Sequence, residues 1–168
     1  MSDAPLIVAA ARTPVGTAGH ALAGVDASSL AAPVLARLAG EMPLAEVVLG
    51  NCTGPGGDVA RVATLAAGLP YDVPALTVDR QCGSGLAAIE VATALVRSTG
   101  RPVLAGGVES ASTAPWRFWP PTGDAPPVRY ERAPFAPTEL GDPEMGQAAD
   151  VLAERWERHK RTLLRGRD

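Results

Sequence analysis

Residues Ala75-Leu76-Thr77-Val78-Asp79-Arg80-Gln81-Cys82-Gly83-Ser84-Gly85-Leu86 decide how this chain folds. The first four are apolar or β-branched and read as a strand. An apolar helical pattern follows from Leu86 to Val96. Cys82 therefore stands at a tight strand-to-helix turn, with glycines at positions 83 and 85. The glycines let the backbone turn sharply and let another group come close to the sulfur. A helix N-terminus adds unpaired N–H groups and positive partial charge beside the thiol. That is the setting in which a cysteine attacks carbonyls. Two readings of Cys82 stay open here: a nucleophile that becomes acylated, or a small buried hydrophobe.

Outward from this turn the same alternation recurs. Pro102–Val108 is apolar and follows Gly100, so it reads as the next strand. On the N-terminal side, Glu46-Val47-Val48-Leu49-Gly50 reads as a buried strand. It is followed by a glycine-rich loop, 51–58, and a helix over 59–67 that Asp58 caps. The loop holds Gly54-Pro55-Gly56-Gly57, but no Gly-Lys-Ser/Thr signature follows it. An ordinary connection is therefore preferred to a phosphate cradle. Cys52, in the same loop, has no glycine-hinged helix start behind it and reads as packing. Asp26-Ala27-Ser28-Ser29 supplies N-cap candidates for a helix through Leu38, with Pro33 marking a kink or a later start. Leu6–Ala11 is a continuous apolar run that reads as a further buried strand. Strands and helices thus alternate to about residue 110, which predicts right-handed crossovers and a mostly parallel sheet with helices on both faces. The helix over 86–96 is Ala-rich and apolar nearly all round, the pattern of a helix covered by another layer.

The composition changes at Ser112, so the expected units are 1–111 and 112–168. Eight of the sixteen prolines lie between Ala114 and Pro143, with five aromatic residues among them. That density excludes regular helix and central strand; the aromatics point to a loop laid over another surface. From Glu144 a last helix is predicted to run to about Leu164. Leu152, Trp156 and Leu163 share one of its faces, and Arg158, Lys160, Arg161, Arg165 and Arg167 make its end basic.

The 168 residues carry 46% hydrophobic and 20% charged residues and a net charge of −3. This composition predicts a globular chain with a real core and gives no basic surface for nucleic acid. Two cysteines are too few for a disulfide framework. No apolar run approaches the roughly 20 residues of a membrane span. A cytoplasmic protein that binds neither nucleic acid nor membrane is the expectation.

Several motifs, in order, resemble the thiolase family. Ala9-Ala10-Ala11-Arg12-Thr13-Pro14-Val15-Gly16 looks like a thiolase opening. Gly50-Asn51, Ala60-Arg61 and Gly68-Leu69-Pro70 follow in the family's order. Asp79-Arg80-Gln81-Cys82-Gly83-Ser84-Gly85 resembles the nucleophile motif. Gly106-Gly107-Val108-Glu109-Ser110 matches Gly-Gly-x-Glu-Ser, and Met145-Gly146 with Ala148-Ala149 resembles the start of the Met-Gly helix. The Arg-Gln-Cys-Gly-Ser-Gly run favours thiolases over the related ketosynthases.

The resemblance implies an acyltransferase working on coenzyme A thioesters, with no permanently bound cofactor. Cys82 would accept the acyl group, with Gly83, Ser84 and Met145 along the substrate and coenzyme A channel. Gly107, Glu109 and Ser110 read instead as structural residues below the site. The implied fold is the N-terminal half of an αβαβα five-layer arrangement, completed by a partner half. Thiolases also carry a Gly-His-Pro histidine and a second cysteine in Cys-x-Gly-Gly-Gly. Neither motif occurs in this sequence; the only histidines are His20 and His159, and Glu144 stands where many thiolases have histidine before Met-Gly. The resemblance therefore implies a nucleophile-bearing subunit of a split thiolase, paired with a C-terminal-half subunit, two such pairs forming a heterotetramer through the strand at 75–79. The alternative is a non-catalytic interaction subunit or relic of the same fold.

Overall fold

A computed structural model describes residues 4–165, with side chains described through residue 157. The first unit, ending at Pro115, is an α/β layer structure. Helix α1 (Ala27–Ala39) begins where Asp26 accepts from Ser29 N at 3.0 Å, and it runs through Pro33 without ending there. Strand β1 (Glu46–Gly50), helix α2 (Val59–Ala66), strand β2 (Ala75–Val78), helix α3 (Ser84–Thr99) and strand β3 (Val103–Gly107) follow. Asp58 caps α2 as predicted, accepting from Arg61 N at 3.1 Å and from the Thr77 hydroxyl at 2.5 Å. That second bond ties the start of α2 to β2.

The sheet is parallel, in the order β2-β1-β3. The chain steps from β1 to β2 on one side, then from β2 across β1 to β3 on the other. Right-handed crossovers taken in opposite directions place their helices on opposite faces. Accordingly α2 packs with α1 on one face and α3 lies over β1 and β3 on the other. Val47 and Val48 of the central strand are fully buried, and Leu35, Ala39, Leu44, Ala60, Ala63 and Leu104 close the core around Val47. The parallel α/β class read from the sequence is the observed one.

One expectation is corrected. Leu6–Ala11 is not a buried strand: residues 5–16 enter no strand or helix, and Leu6, Ile7 and Val8 are more than 80% exposed. The run lies across a cavity of about 430 Å³ from β3, α1 and α3. An apolar run records a tendency to burial; a strand also needs a neighbouring backbone edge about 4.8 Å away. Within this chain α3 packs on the sheet through one face: Ala87, Ala88 and Ala92 are buried there, and Leu86 and Ile89 are exposed.

The second unit begins at Trp116. Strands β4 (Arg117–Trp119) and β5 (Val128–Tyr130) form a short antiparallel hairpin within the proline-rich segment. Trp119 stacks on Tyr130 with ring centroids 4.4 Å apart, and the Arg129 guanidinium lies over Trp116. Arg132 holds Asp142 through two contacts of 2.6 and 2.8 Å, closing the segment before the last helix. Helix α4 (Met145–Arg165) follows. Val151, Leu152 and Trp156 are exposed on it. The predicted contribution of Leu163 to its apolar face, and the basic end at Arg158, Lys160, Arg161 and Arg165, fall outside the described side chains; Arg167 lies outside the described residues.

Candidate active site

The chain reverses direction across β1, so loops after all three parallel strands converge at their C-terminal ends, where open α/β sheets hold their ligands. Glycines make that convergence close. A Cβ on Gly50 would stand 2.6 Å from the backbone N of Gly85, and one on Gly107 would stand 3.3 Å from the Cα of Gly85. The start of α3 therefore rests directly on the ends of β1 and β3.

Polar residues then lock the loops together. Asn51, buried, donates through Nδ2 to the Val108 carbonyl at 2.9 Å and to Glu109 at 3.0 Å. The Glu109 carboxylate also accepts from Cys52 N at 3.0 Å, from Thr53 N at 3.2 Å and from the Thr53 hydroxyl at 2.6 Å. Burial pushes its pKa up. The Thr53 hydroxyl and the two backbone N–H groups outweigh that, so the carboxyl sits below its ordinary value. Glu109 thus pins the loop after β1 to the end of β3, in keeping with its structural reading. Asn51 stands in the Gly50-Asn51 motif with no role read from it, and Thr53 carries no signal beyond polarity just after an apolar buried strand.

Cys52 is half-buried and its thiol donates to the Gln81 carbonyl at 3.3 Å. Burial is the main reason its pKa is raised. Gln81 is the only non-glycine residue with positive φ among the described residues, at 49°. It carries the chain out of β2 and into Cys82. Cys82 is exposed and stands immediately before Gly83, which caps α3. Of the residues read as lining a channel, Gly83 forms the turn itself, its N–H donating to the Arg80 carbonyl at 3.0 Å. Ser84 is buried, and its hydroxyl accepts from Arg80 N at 2.8 Å and donates to the Gln81 carbonyl at 2.6 Å. Met145 opens α4 in the second unit and is exposed there. The arrangement presents one accessible thiol on a rigid turn at the C-terminal end of a parallel sheet. No cluster of three or more His, Cys, Asp or Glu able to hold a metal ion occurs among the described residues.

The family model for the thiolase N-terminal domain matches residues 6–163. The chain belongs to the thiolase family. Among similar thiolase sequences are two candidate acetyl-CoA C-acetyltransferases. VraB of Staphylococcus aureus is 41% identical over 161 residues, covering 90% of this chain and 42% of that protein. YhfS of Bacillus subtilis is 42% identical over 154 residues, covering 90% and 39%. Among solved structures, the acetyl-CoA acetyltransferase of Bacillus anthracis matches with a TM-score of 0.69 at 33% identity, over 87% of this chain and 40% of that one. The chain spans about two fifths of the length of these relatives. No helix among the described residues is long and apolar enough to cross a membrane.

Proposed function

We propose that this thiolase-family chain carries the nucleophile for acyl transfer between coenzyme A thioesters, and that a partner subunit shaped like a C-terminal thiolase half supplies the acid and base. The observation that carries the reading is the exposed Cys82 on a fixed turn at the C-terminal ends of the parallel strands. The thiolate attacks the carbonyl of an acyl-CoA, and coenzyme A leaves as its thiol. A second acyl-CoA, deprotonated beside its carbonyl, then attacks the Cys82 thioester to give a 3-oxoacyl-CoA; thiolysis is the reverse. A thioester keeps the acyl carbon electrophilic, and the Cys82 N–H is suited to receive the developing oxyanion. Gly83, with no side chain, leaves the approach to the sulfur open. Proton transfer needs a positioned acid and base, and the thiolase motifs that supply them, a Gly-His-Pro histidine and a Cys-x-Gly-Gly-Gly cysteine, do not occur in this sequence. Two such pairs make the proposed heterotetramer.

The test is acyl loading followed by turnover. Cys82 gains the mass of the acyl group when the chain and its C-terminal-half partner are incubated with acyl-CoA, and the complex forms 3-oxoacyl-CoA. An assembled complex that is silent with short, medium and long acyl-CoAs refutes the catalytic reading in favour of an interaction subunit. Turnover by the 168-residue chain alone at the rate of the complex refutes the split site.

A further inference from the structure

We propose that Ser84 is a positioning residue for Cys82: its buried hydroxyl holds Gln81 in the left-handed conformation that sets the direction in which the chain enters Cys82. A left-handed backbone is disfavoured for a residue with a Cβ, because Cβ crowds the carbonyl oxygen. Gln81 adopts φ of 49° even so. Asp79 accepts the Gln81 N–H at 2.8 Å on one side of the residue, and Ser84 holds its carbonyl on the other.

The Gln81 carbonyl accepts the Ser84 hydroxyl at 2.6 Å and the Ser84 N–H at 3.0 Å, with the Cys52 thiol at 3.3 Å as a weaker third donor. The same hydroxyl accepts from Arg80 N at 2.8 Å. Ser84 therefore bridges the residues on either side of the Arg80–Gln81 peptide, and it does so from a side chain only 4% exposed. The serine is itself fixed, since the backbone at Ser84–Gly85 rests on Gly50. The path from the sheet to the thiol is continuous: β1 supports Ser84, Ser84 holds Gln81, and Gln81 aims Cys82. Removing the hydroxyl leaves the Arg80 N–H without its Ser84 partner. It also frees Gln81 to relax to negative φ, which rotates the following peptide and swings Cys82 away from the start of α3.

The proposal rests on the reading of Cys82 as the nucleophile, and its test is independent of acyl transfer. The full chain is treated with chloroacetamide, and alkylation of Cys82 is followed by mass spectrometry on the tryptic peptide spanning 81–97, with melting temperature measured in parallel. Ser84→Ala is expected to slow Cys82 alkylation by about tenfold. Gln81→Gly added to Ser84→Ala is expected to restore the rate to within about threefold of wild type, because glycine takes the left-handed conformation without help. The double variant decides the matter should the single one fail to fold. A Ser84→Ala rate equal to or above wild type overturns the proposal. So does a folded double variant that stays slow, since Ser84 would then stabilise the fold without aiming the thiol. Failure of wild-type Cys82 to take an acyl group from acyl-CoA, by contrast, strikes the proposed function and leaves this rate comparison to be judged by itself.

Discussion

Replacing Gly50 by alanine tests whether the start of α3 really rests on the end of β1. A Cβ there would meet the Gly85 nitrogen and the Ser84 carbonyl oxygen at 2.6 Å, about 0.8 Å inside the 3.4 Å at which ordinary contact begins. Both neighbours are backbone, so no flexible side chain can swing aside. Overpacking of this kind costs about 1–3 kcal/mol, and the rigid neighbours put Gly50→Ala at about 3 kcal/mol. For a chain of this size that lowers the melting temperature by roughly 6–12 °C. The displaced backbone includes Ser84, so Cys82 alkylation should slow together with the loss of stability. Gly106→Ala, in the same sheet, is the control: a Cβ there meets nothing within 4 Å, and its melting temperature should stay within about 2 °C of wild type. Thermal melts followed by circular dichroism, with alkylation rates alongside, supply the measurement. A Gly50→Ala protein that melts with the Gly106→Ala control would show that α3 is not seated on β1, and the chain of support for the thiol would fall with it.

Three further outcomes are expected. Glu109→Gln should destabilise the chain by about 1–2 kcal/mol at neutral pH, a figure kept low because the residue is solvent-accessible. Its carboxyl is lowered in the folded chain, so its contribution is complete above the unfolded glutamate value of about 4.3 and is lost as pH falls through the lower folded value; the melting temperatures of wild type and variant should draw together as pH falls below about 4.3, and a gap that does not narrow contradicts the assignment. Asp58→Ala removes the α2 cap and its bond to Thr77, and the urea midpoint should fall by the equivalent of about 1–2 kcal/mol, with Asp58→Asn falling less. In the presence of the partner, Cys82→Ser should abolish acyl labelling, a hydroxyl being a far weaker nucleophile than a thiolate near neutral pH, while Cys52→Ser should leave it largely intact; label recovered on Cys52 in place of Cys82 would reverse the assignment of the nucleophile.

Elements whose signal is local were legible in the residues. β1, α2, β2, α3 and β3 stand within three residues of where apolar period, capping aspartate and terminal glycine put them, because each of those signals acts over a few neighbours. The placement of Cys82 at a strand-to-helix turn was legible for the same reason: Val78, the two glycines and the apolar helix lie within one short stretch. The parallel class followed from alternation alone, since a strand, helix and strand in that order leave few alternatives.

What the tertiary structure decided depends on partners distant in sequence. Leu6–Ala11 has the composition of a strand, yet pairing needs a second backbone edge in place, and none of the six residues carries information about where β3 stands. Ala87, Ala88 and Ala92 face the sheet while Leu86 and Ile89 face outward, a division set by the angle at which α3 crosses β1 and β3. The Asn51–Glu109 lock joins residues 58 apart, and nothing in either stretch names the other. The left-handed Gln81 was equally hidden: glutamine carries no preference for positive φ, and the conformation exists because a buried Ser84 hydroxyl and the glycine-lined ends of β1 and β3 meet at that point. Sequence fixes which residues can turn, cap and pack through forces between near neighbours, whereas the aim of the thiol comes from contacts that form only once the three strand ends are brought together.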